Sequence, residues 1–386
     1  MPIAFSPPTY PSRVGWILHK YFNFPVPPVA GRFNPRRKIY LRPLVFCLLA
    51  FTLMVVFFVA IDADDLMYHH VRSIIHNERH TGNSIRLDDY VLAAAYRLPY
   101  VALNLSGITF SPQSRTLFAI TNNPPKVYNL DPAGNCLREV ALIGFEDTEG
   151  ISYIDGYRFA IIEERNHTIA IVEIDDHTTV IDRSKVINFL KVDMKGRDNK
   201  GFEGVAFDEA MQCIYVVNEK IPRQLLTIEG LSARAMTLQI ALNPDLIPRR
   251  FFLKDLSGLH FDPATRNLLL VSDESKMISE VSLDGKRVSF MGLEKGSAGL
   301  AHDIPQAEGV AMDDVGNIYV VSEPNFFYRF ARKGEAAPGP PIRSCQSGDT
   351  STVPAASPPE QTVLPNPMPS SPLTGASAPR QKAPFV

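Results

Sequence analysis

The feature that most constrains this chain is a segment that recurs five times. Each copy starts with a short segment around a glycine, such as "EGVAF", which we call the glycine step. A turn rich in Asp, Pro, Asn or Gly follows, and then an apolar run such as "IYVV". The copies are anchored by glycines roughly 50 residues apart, at Gly107, Gly150, Gly204, Gly258 and Gly309. A repeat of this length predicts one supersecondary unit used several times.

Each copy has the pattern of a four-stranded antiparallel sheet. The first strand follows the glycine, and the apolar run predicts a second, fully buried strand. A third segment alternates apolar and polar residues, as in "MISEVSLDG", and most copies add a fourth, as in "RVSFMGL". This is typical of a β-propeller blade. We predict an all-β fold with five blades over residues 86–333, or six if a degenerate copy lies within 220–256.

The two ends of the repeat region predict how the propeller closes. The last copy stops after three strands, near Arg332, whereas "DYVLAAAYRL" (89–98) before the first copy is an unmatched strand. An N-terminal strand that completes the last blade removes the exposed sheet edges that would otherwise aggregate. We therefore predict closure of the ring by this strand.

Acidic residues recur at equivalent positions of the five copies. The first two strands of a blade run antiparallel, so the start of the first and the end of the second meet at one rim of the central channel. Their side chains predict a ring of carboxylates at that rim: Glu149, Glu164, Glu203, Glu219, Asp273, Glu308 and Glu323. The glycines lack a Cβ, which lets the five backbones crowd the axis there.

The predicted rim has the chemistry of a calcium site. Carboxylates held close together either bind protons or bind a cation, and Ca²⁺ prefers six to eight oxygen ligands. Zinc is disfavoured because no histidine repeats at the rim; His260 and His302 each occur once. The structural alternative is that the carboxylates accept hydrogen bonds from the next blade, or pair with Arg165, Lys200 and Lys220.

The regions outside the repeat predict a membrane-tethered protein. Residues 44–61 carry no charge and follow a basic segment, which predicts a single transmembrane helix with a cytoplasmic N-terminus and a periplasmic propeller; a cleaved signal peptide is the alternative. Residues 1–43 and 334–386 are rich in proline and predict disordered tails, and 62–85 a juxtamembrane linker.

Charge and cysteine content exclude some functions. A net charge of −2 with a pI near 6.5 gives no basic footprint for nucleic acid. None of the four cysteines forms a C-x-x-C pair, which argues against a zinc or redox motif. In the predicted folded part, Cys136 and Cys213 are either two isolated core residues, which we favour, or a disulfide.

The chain resembles the SdiA-regulated (YjiK/CarP-like) family over about residues 86–333. The resemblance lies in the glycine steps and in the motifs "NKGFEG", "IIEER" and "VVNEK". The resemblance implies a bacterial cell-envelope β-propeller with proposed calcium-linked roles and a distant likeness to propeller phytases. It suggests the same seven carboxylates as a cation-binding rim. The dense Asp-rich runs of a propeller phytase are missing, which argues against that activity.

These observations predict a membrane-anchored propeller that binds calcium or a small ligand at its acidic rim. One alternative is a metal-dependent hydrolase of phosphate esters or lactones, in which a cation activates water and a carboxylate acts as general base. The chain has no G-x-S-x-G nucleophile motif. Another alternative is a metal-free scaffold for an envelope protein partner.

Overall fold

A computed structural model describes residues 38–60, 83–192, 201–219, 223–232, 237–243 and 253–335. The chain divides into two compact units, 1–83 and 84–386. The first unit contains helix α1 (Lys38–Ala60). Among the described residues, no helix has the length and hydropathy needed to cross a membrane, so the predicted transmembrane helix over 44–61 is not supported. Most of the predicted N-terminal tail, linker and C-terminal tail lies outside the described residues.

The second unit is a β-propeller of five sheets. Blade 1 holds β2 (Leu105–Ser111), β3 (Thr116–Thr121), β4 (Lys126–Leu130) and β5 (Cys136–Ile143). Blade 2 holds β6 (Thr148–Asp155), β7 (Arg158–Glu163), β8 (Thr168–Glu173) and β10 (Phe189–Lys191). Blade 3 holds β11 (Phe202–Asp208), β12 (Cys213–Asn218), β13 (Gln224–Glu229) and β14 (Gln239–Leu242). Blade 4 holds β15 (Gly258–Asp262), β16 (Asn267–Ser272), β17 (Met277–Ser282) and β18 (Arg287–Gly292). Blade 5 holds β19 (Ala307–Met312), β20 (Ile318–Ser322), β21 (Phe326–Arg332) and β1 (Tyr90–Arg97).

The N-terminal strand closes the ring, as predicted. Strand β1 pairs antiparallel with β21, with Tyr90 opposite Arg332. The inner strands β2, β6, β11, β15 and β19 each contact the next, and β19 contacts β2. The ring is therefore complete with five blades. The alternative of a sixth blade within 220–256 is wrong, because the described part of that segment supplies β13 and β14 to blade 3.

The hydrophobic core lies between neighbouring blades rather than at one centre. Strand β12 is buried along its whole length, as its apolar run predicts, whereas the outer strand β14 is exposed. Between blades 3 and 4, Tyr215 packs in one cluster with Leu259 and Phe261. Each blade therefore covers an apolar face of the next, and no blade buries its own faces alone.

One strand breaks the repeat. Strand β9 (Val180–Asp182) follows β8 of blade 2 but pairs in parallel with β5 of blade 1, with Ala141 opposite Val180. The chain then returns to blade 2 as β10. No repeated pattern in the sequence marks this crossing, which the sequence analysis missed.

The repeated glycines are required by close approach of neighbouring blades. A Cβ on Gly107 would lie 2.7 Å from the carbonyl oxygen of Glu149 in the next blade. A Cβ on Gly309 would lie 2.9 Å from the Cα of Gly107, where the ring closes. Both distances are shorter than real Cβ contacts, and both atoms belong to backbone that has little freedom to move. The glycine of each copy is therefore a packing requirement of the channel wall.

We expect Gly309→Ala to lower the free energy of unfolding by about 2 kcal/mol or more, because the added methyl group must push two inner strands apart. Urea unfolding followed by circular dichroism measures this. The control is Gly334→Ala, where a Cβ meets no atom within 4 Å but φ is +93°, so only backbone strain of about 1 kcal/mol is added. A Gly309→Ala protein as stable as the wild type would contradict the packing explanation.

The two cysteines in the propeller have different states. Cys213 is free and buried, as expected for an isolated core residue. Cys136 is disulfide-bonded, so the favoured prediction of an isolated core residue is wrong for this cysteine. Because Cys213 is free, these two cysteines do not pair with each other.

Candidate functional site

A β-bulge places the first set of acidic side chains. In β2, β6, β11 and β19 the register shifts across the residue before the repeated glycine. That residue has no partner on the second strand, and a bulge of this kind re-aims a side chain. It is Ser106 in blade 1 and a glutamate in three other blades: Glu149, Glu203 and Glu308.

The three bulge glutamates line the narrowest part of the channel. They surround a cavity of only about 10 Å³, together with the repeated glycines, which is room for about one water molecule. Glu149 is buried, and Glu203 and Glu308 are half-buried. The prediction that these three residues meet at the channel agrees with their placement.

The ends of the second strands add further carboxylates. Single oxygens of Glu164, Glu203 and Glu219 lie within 4.8 Å of one another. A second group with the same spacing contains Asp147, Glu149 and Glu164. Glu164 belongs to both groups, so the five carboxylates form one continuous cluster across blades 2 and 3. We call these five residues the acidic cluster.

Burial and mutual repulsion raise the pKa values at the channel. Burial raises the pKa of Glu149 to about 8, assisted by the charges of Glu164 and Asp147 and opposed by hydrogen bonds from Ser106 and Asn122. Burial and the charge of Glu149 raise the pKa of Glu308 to about 9. Without a cation, these carboxyl groups are therefore mostly protonated at neutral pH.

The same causes raise the pKa values of Glu203 and Glu164. Burial, followed by the charges of Glu149 and Glu164, raises the pKa of Glu203 well above its usual range. Burial is also the main cause of the raised pKa of Glu164. Glu323, at the rim of blade 5, has a pKa raised by burial, and its charge contributes to the raised pKa of Glu308.

Comparison with known protein families identifies the fold family. A model of the family described as SdiA-regulated matches residues 82–331. The chain belongs to the SdiA-regulated family. The resemblance seen in the repeated glycine steps is thereby confirmed, and the match covers the whole propeller.

The solved structures that resemble this SdiA-regulated propeller include two with low sequence identity. A luciferin-regenerating enzyme aligns with 12% identity over 65% of this chain and 99% of its own, with a TM-score of 0.40. A chain of a nidogen/laminin complex aligns with 14% identity over 60% of this chain and 84% of its own, with a TM-score of 0.37. At these scores neither similarity bears on function.

Some rim carboxylates of the SdiA-regulated propeller have structural partners. Asp273 accepts a hydrogen bond from the backbone N–H of Ala307 at 2.9 Å and pairs with Lys276. Glu164 Oε1 accepts one from the backbone N–H of Gly201 at 3.2 Å. Both contacts join a blade to the next, as the structural alternative predicted, so Asp273 is committed to a link between blades 4 and 5.

Of the three basic residues that the sequence suggested as ion-pair partners of the rim carboxylates, only Arg165 lies among the described residues. Arg165 pairs with Asp147, with 2.7 Å between Nε and Oδ2. Lys200 and Lys220 lie outside the described residues. His302 is exposed in a loop and His260 lies in the middle of inner strand β15, and neither belongs to the acidic cluster.

The sequence analysis missed two acidic residues. Asp147 and Asp255 each lie three positions before a repeated glycine, in "DTEG" and "DLSG". Asp147 belongs to the acidic cluster. Asp255 is buried and accepts hydrogen bonds from the Ser272 hydroxyl and the Glu274 backbone. Their shared register with the glycines was a signal that could have found both.

We expect Asp273→Ala to lower the free energy of unfolding by about 1–3 kcal/mol, because the Ala307 N–H and Lys276 lose their acceptor. The affinity of this variant for calcium should change less than about threefold, since the Asp273 carboxylate of the wild type is already bonded to Ala307 and Lys276. Chemical unfolding and calorimetric titration measure the two effects. A large loss of affinity with unchanged stability would place Asp273 among the cation ligands instead.

Proposed function

We propose that this protein is a binding propeller that holds a calcium ion at the acidic cluster. The observation that carries the proposal is the continuous cluster of five carboxylates, Asp147, Glu149, Glu164, Glu203 and Glu219, in two overlapping groups with oxygens within 4.8 Å. A cation among these oxygens would replace the protons that the raised pKa values of Glu149, Glu164 and Glu203 otherwise demand.

The charge balance of the site supports a cation. Among the described residues, no lysine or arginine forms an ion pair with Glu149, Glu203 or Glu308. Arg165, which reaches Asp147, has a largely exposed side chain and is screened by water. Within the described part of the chain, the three channel glutamates therefore have no basic side chain paired with them, and a bound ion would supply the positive charge.

The ligand chemistry favours calcium over other divalent ions. The donors are carboxylate oxygens, and Ca²⁺ accepts six to eight oxygen ligands in flexible geometry. Mg²⁺ requires near-octahedral geometry and keeps most of its water. Zn²⁺ prefers nitrogen and sulfur ligands, and no histidine or cysteine lies in the acidic cluster.

Calorimetric titration of the purified full-length protein with calcium and with magnesium tests the proposal. We expect calcium to bind with a dissociation constant below about 1 mM and at least tenfold more tightly than magnesium. Calcium should also raise the melting temperature, because a ligand stabilises the state that binds it. No heat and no thermal shift with either ion would contradict a cation site.

The proposal includes an extracytoplasmic location. The disulfide bond of Cys136 supports it, since such bonds persist in oxidising compartments. Alkylation and mass spectrometry of protein taken directly from cells should find Cys213 reduced and Cys136 oxidised. Cys136 found reduced in cells would argue for a reducing compartment.

A further inference from the structure

The opposite mouth of the channel contains a larger cavity that no function described above uses. The inner strands run from the acidic cluster to this second mouth, and their far ends surround about 520 Å³ of space. Cavities of about 300–1,000 Å³ are typical of small-molecule sites. The constriction at the glycines has room for about one water molecule, so the two mouths are separate sites.

The floor of this cavity is polar but uncharged. Thr109, Ser152 and His260 each lie two positions after a repeated glycine and line it. Burial lowers the pKa of His260 to about 4, against the opposing charge of Asp262, so the imidazole is neutral at pH 7. Its Nε2 atom is buried and has no hydrogen-bond partner among the described residues. A buried polar atom of this kind is costly and needs an explanation.

The walls of the cavity are largely apolar. The residue three positions after the glycine is aromatic in four blades and methionine in the fifth: Phe110, Tyr153, Phe207, Phe261 and Met312. Each of these side chains packs in an apolar cluster of the core, and its remaining surface bounds the cavity. Such walls favour a ligand whose body is apolar.

The aspartates around the cavity already have hydrogen-bond or ion-pair partners within the protein. Asp262 accepts hydrogen bonds from Thr265 in its own turn, and Asp313 accepts them from Asn317 and Tyr319. Asp314 pairs with Arg115 at 2.6 Å.

The two other charged residues that line the cavity, Arg332 and Glu209, do not provide a binding site for a charged ligand. The guanidinium of Arg332 lies 5.4 Å from the centre of the Tyr90 ring, and the negative charges of Asp262 and Asp313 act on the same tyrosine and offset its positive charge. Glu209 is exposed, and its charge is screened by water. A charged ligand would therefore be desolvated in the cavity without a free partner of opposite charge.

We propose that this cavity binds a small uncharged molecule with an apolar body and a hydroxyl group. A hydroxyl both donates and accepts hydrogen bonds, so it can pair with either tautomer of His260 once the imidazole turns toward the cavity. It can also exchange hydrogen bonds with Thr109 and Ser152. The apolar body then lies against the aromatic walls. The site does not depend on calcium or on the acidic cluster.

Matched probe molecules test this proposal on the full-length protein. p-Cresol and p-xylene have the same shape and differ by a hydroxyl in place of a methyl group, and p-toluate adds a negative charge. Saturation-transfer NMR and titration give their dissociation constants. We expect p-cresol to bind at about millimolar concentration, p-xylene about 3–10-fold more weakly for want of the hydrogen bond, and p-toluate not measurably.

The His260→Phe variant should lose the preference for p-cresol over p-xylene. It should melt no lower than the wild type, because an unpaired buried nitrogen is replaced by carbon. His260→Gln, which keeps a donor and an acceptor, should retain part of the preference, and Glu203→Gln should bind all probes as the wild type does.

Two results would overturn the proposal. The first is the absence of binding by p-cresol up to its solubility. The second is a preference for p-cresol that persists in His260→Phe. Because Glu203→Gln is tested in parallel, failure of this site and failure of the calcium proposal are distinguishable.

Discussion

Glu203→Gln is expected to weaken calcium binding by about 10–100-fold while leaving the propeller folded, since calcium affinity follows the number of charged ligands. Glu203 belongs to the acidic cluster and also lines the channel constriction beside Glu149 and Glu308. Without calcium and at alkaline pH the variant should melt at a higher temperature than the wild type, because a neutral amide replaces a carboxylate that would ionise beside Glu149 and Glu164. Calorimetric titration and thermal melting measure both effects.

The matched control for this prediction is Glu229→Gln. Glu229 belongs to the same blade but is exposed at the end of β13, opposite Cys213 at the start of β12. It should leave calcium affinity and melting temperature unchanged. If Glu203→Gln binds calcium as tightly as the wild type, the acidic cluster is not the calcium site.

The stability of the cation-free protein should fall as pH rises from about 5 to about 9. The pKa of Glu149 is raised to about 8 and that of Glu308 to about 9, whereas both titrate near 4.5 in the unfolded chain. In this window the folded state binds more protons than the unfolded state, so raising the pH favours unfolding. The stabilisation is fully present below about pH 4.5 and is lost as the pH passes the folded-state pKa values.

Thermal melting across this pH range, with and without calcium, measures the effect. We expect the melting temperature without calcium to fall by several degrees, and calcium to restore it most strongly at high pH, where no protons compete. Glu203→Gln should flatten the dependence. A melting temperature that is constant or rises from pH 5 to pH 9 would contradict the raised pKa values.

Much of this fold was predictable because each blade repeats one pattern. The buried second strands, the turn residues and the incomplete last copy were sufficient to predict the blades and the closure by β1. The second glycine of "NKGFEG", Gly204, is required because it lies close to Gly258 in the next blade. These features are periodic, so five copies reinforce one another.

The details that the sequence did not predict are those that differ between blades. Asp273 and Glu219 occupy equivalent positions, but Asp273 bonds to Ala307 and Lys276, whereas Glu219 lies close to Glu164 and Glu203. Such differences depend on the neighbouring blade, which no local pattern specifies. The bulges that direct the channel glutamates inward and the crossing of β9 to blade 1 depend on tertiary packing in the same way.

The opposite cavity was also not predicted. Its aromatic residues look like ordinary strand residues in the sequence, and His260 occurs in only one copy of the repeat. Only the ring of five inner strands brings them around one space. A site shared by all blades becomes visible when the blades are assembled.

The most direct test of the account is a crystal structure of the protein grown with calcium, with an anomalous difference map collected at long wavelength. The account predicts a peak in the acidic cluster, with carboxylate oxygens of Glu203 and Glu164 at about 2.3–2.6 Å. A map with no peak there, in crystals that show the carboxylates bonded only to each other and to neighbouring backbone, would contradict it.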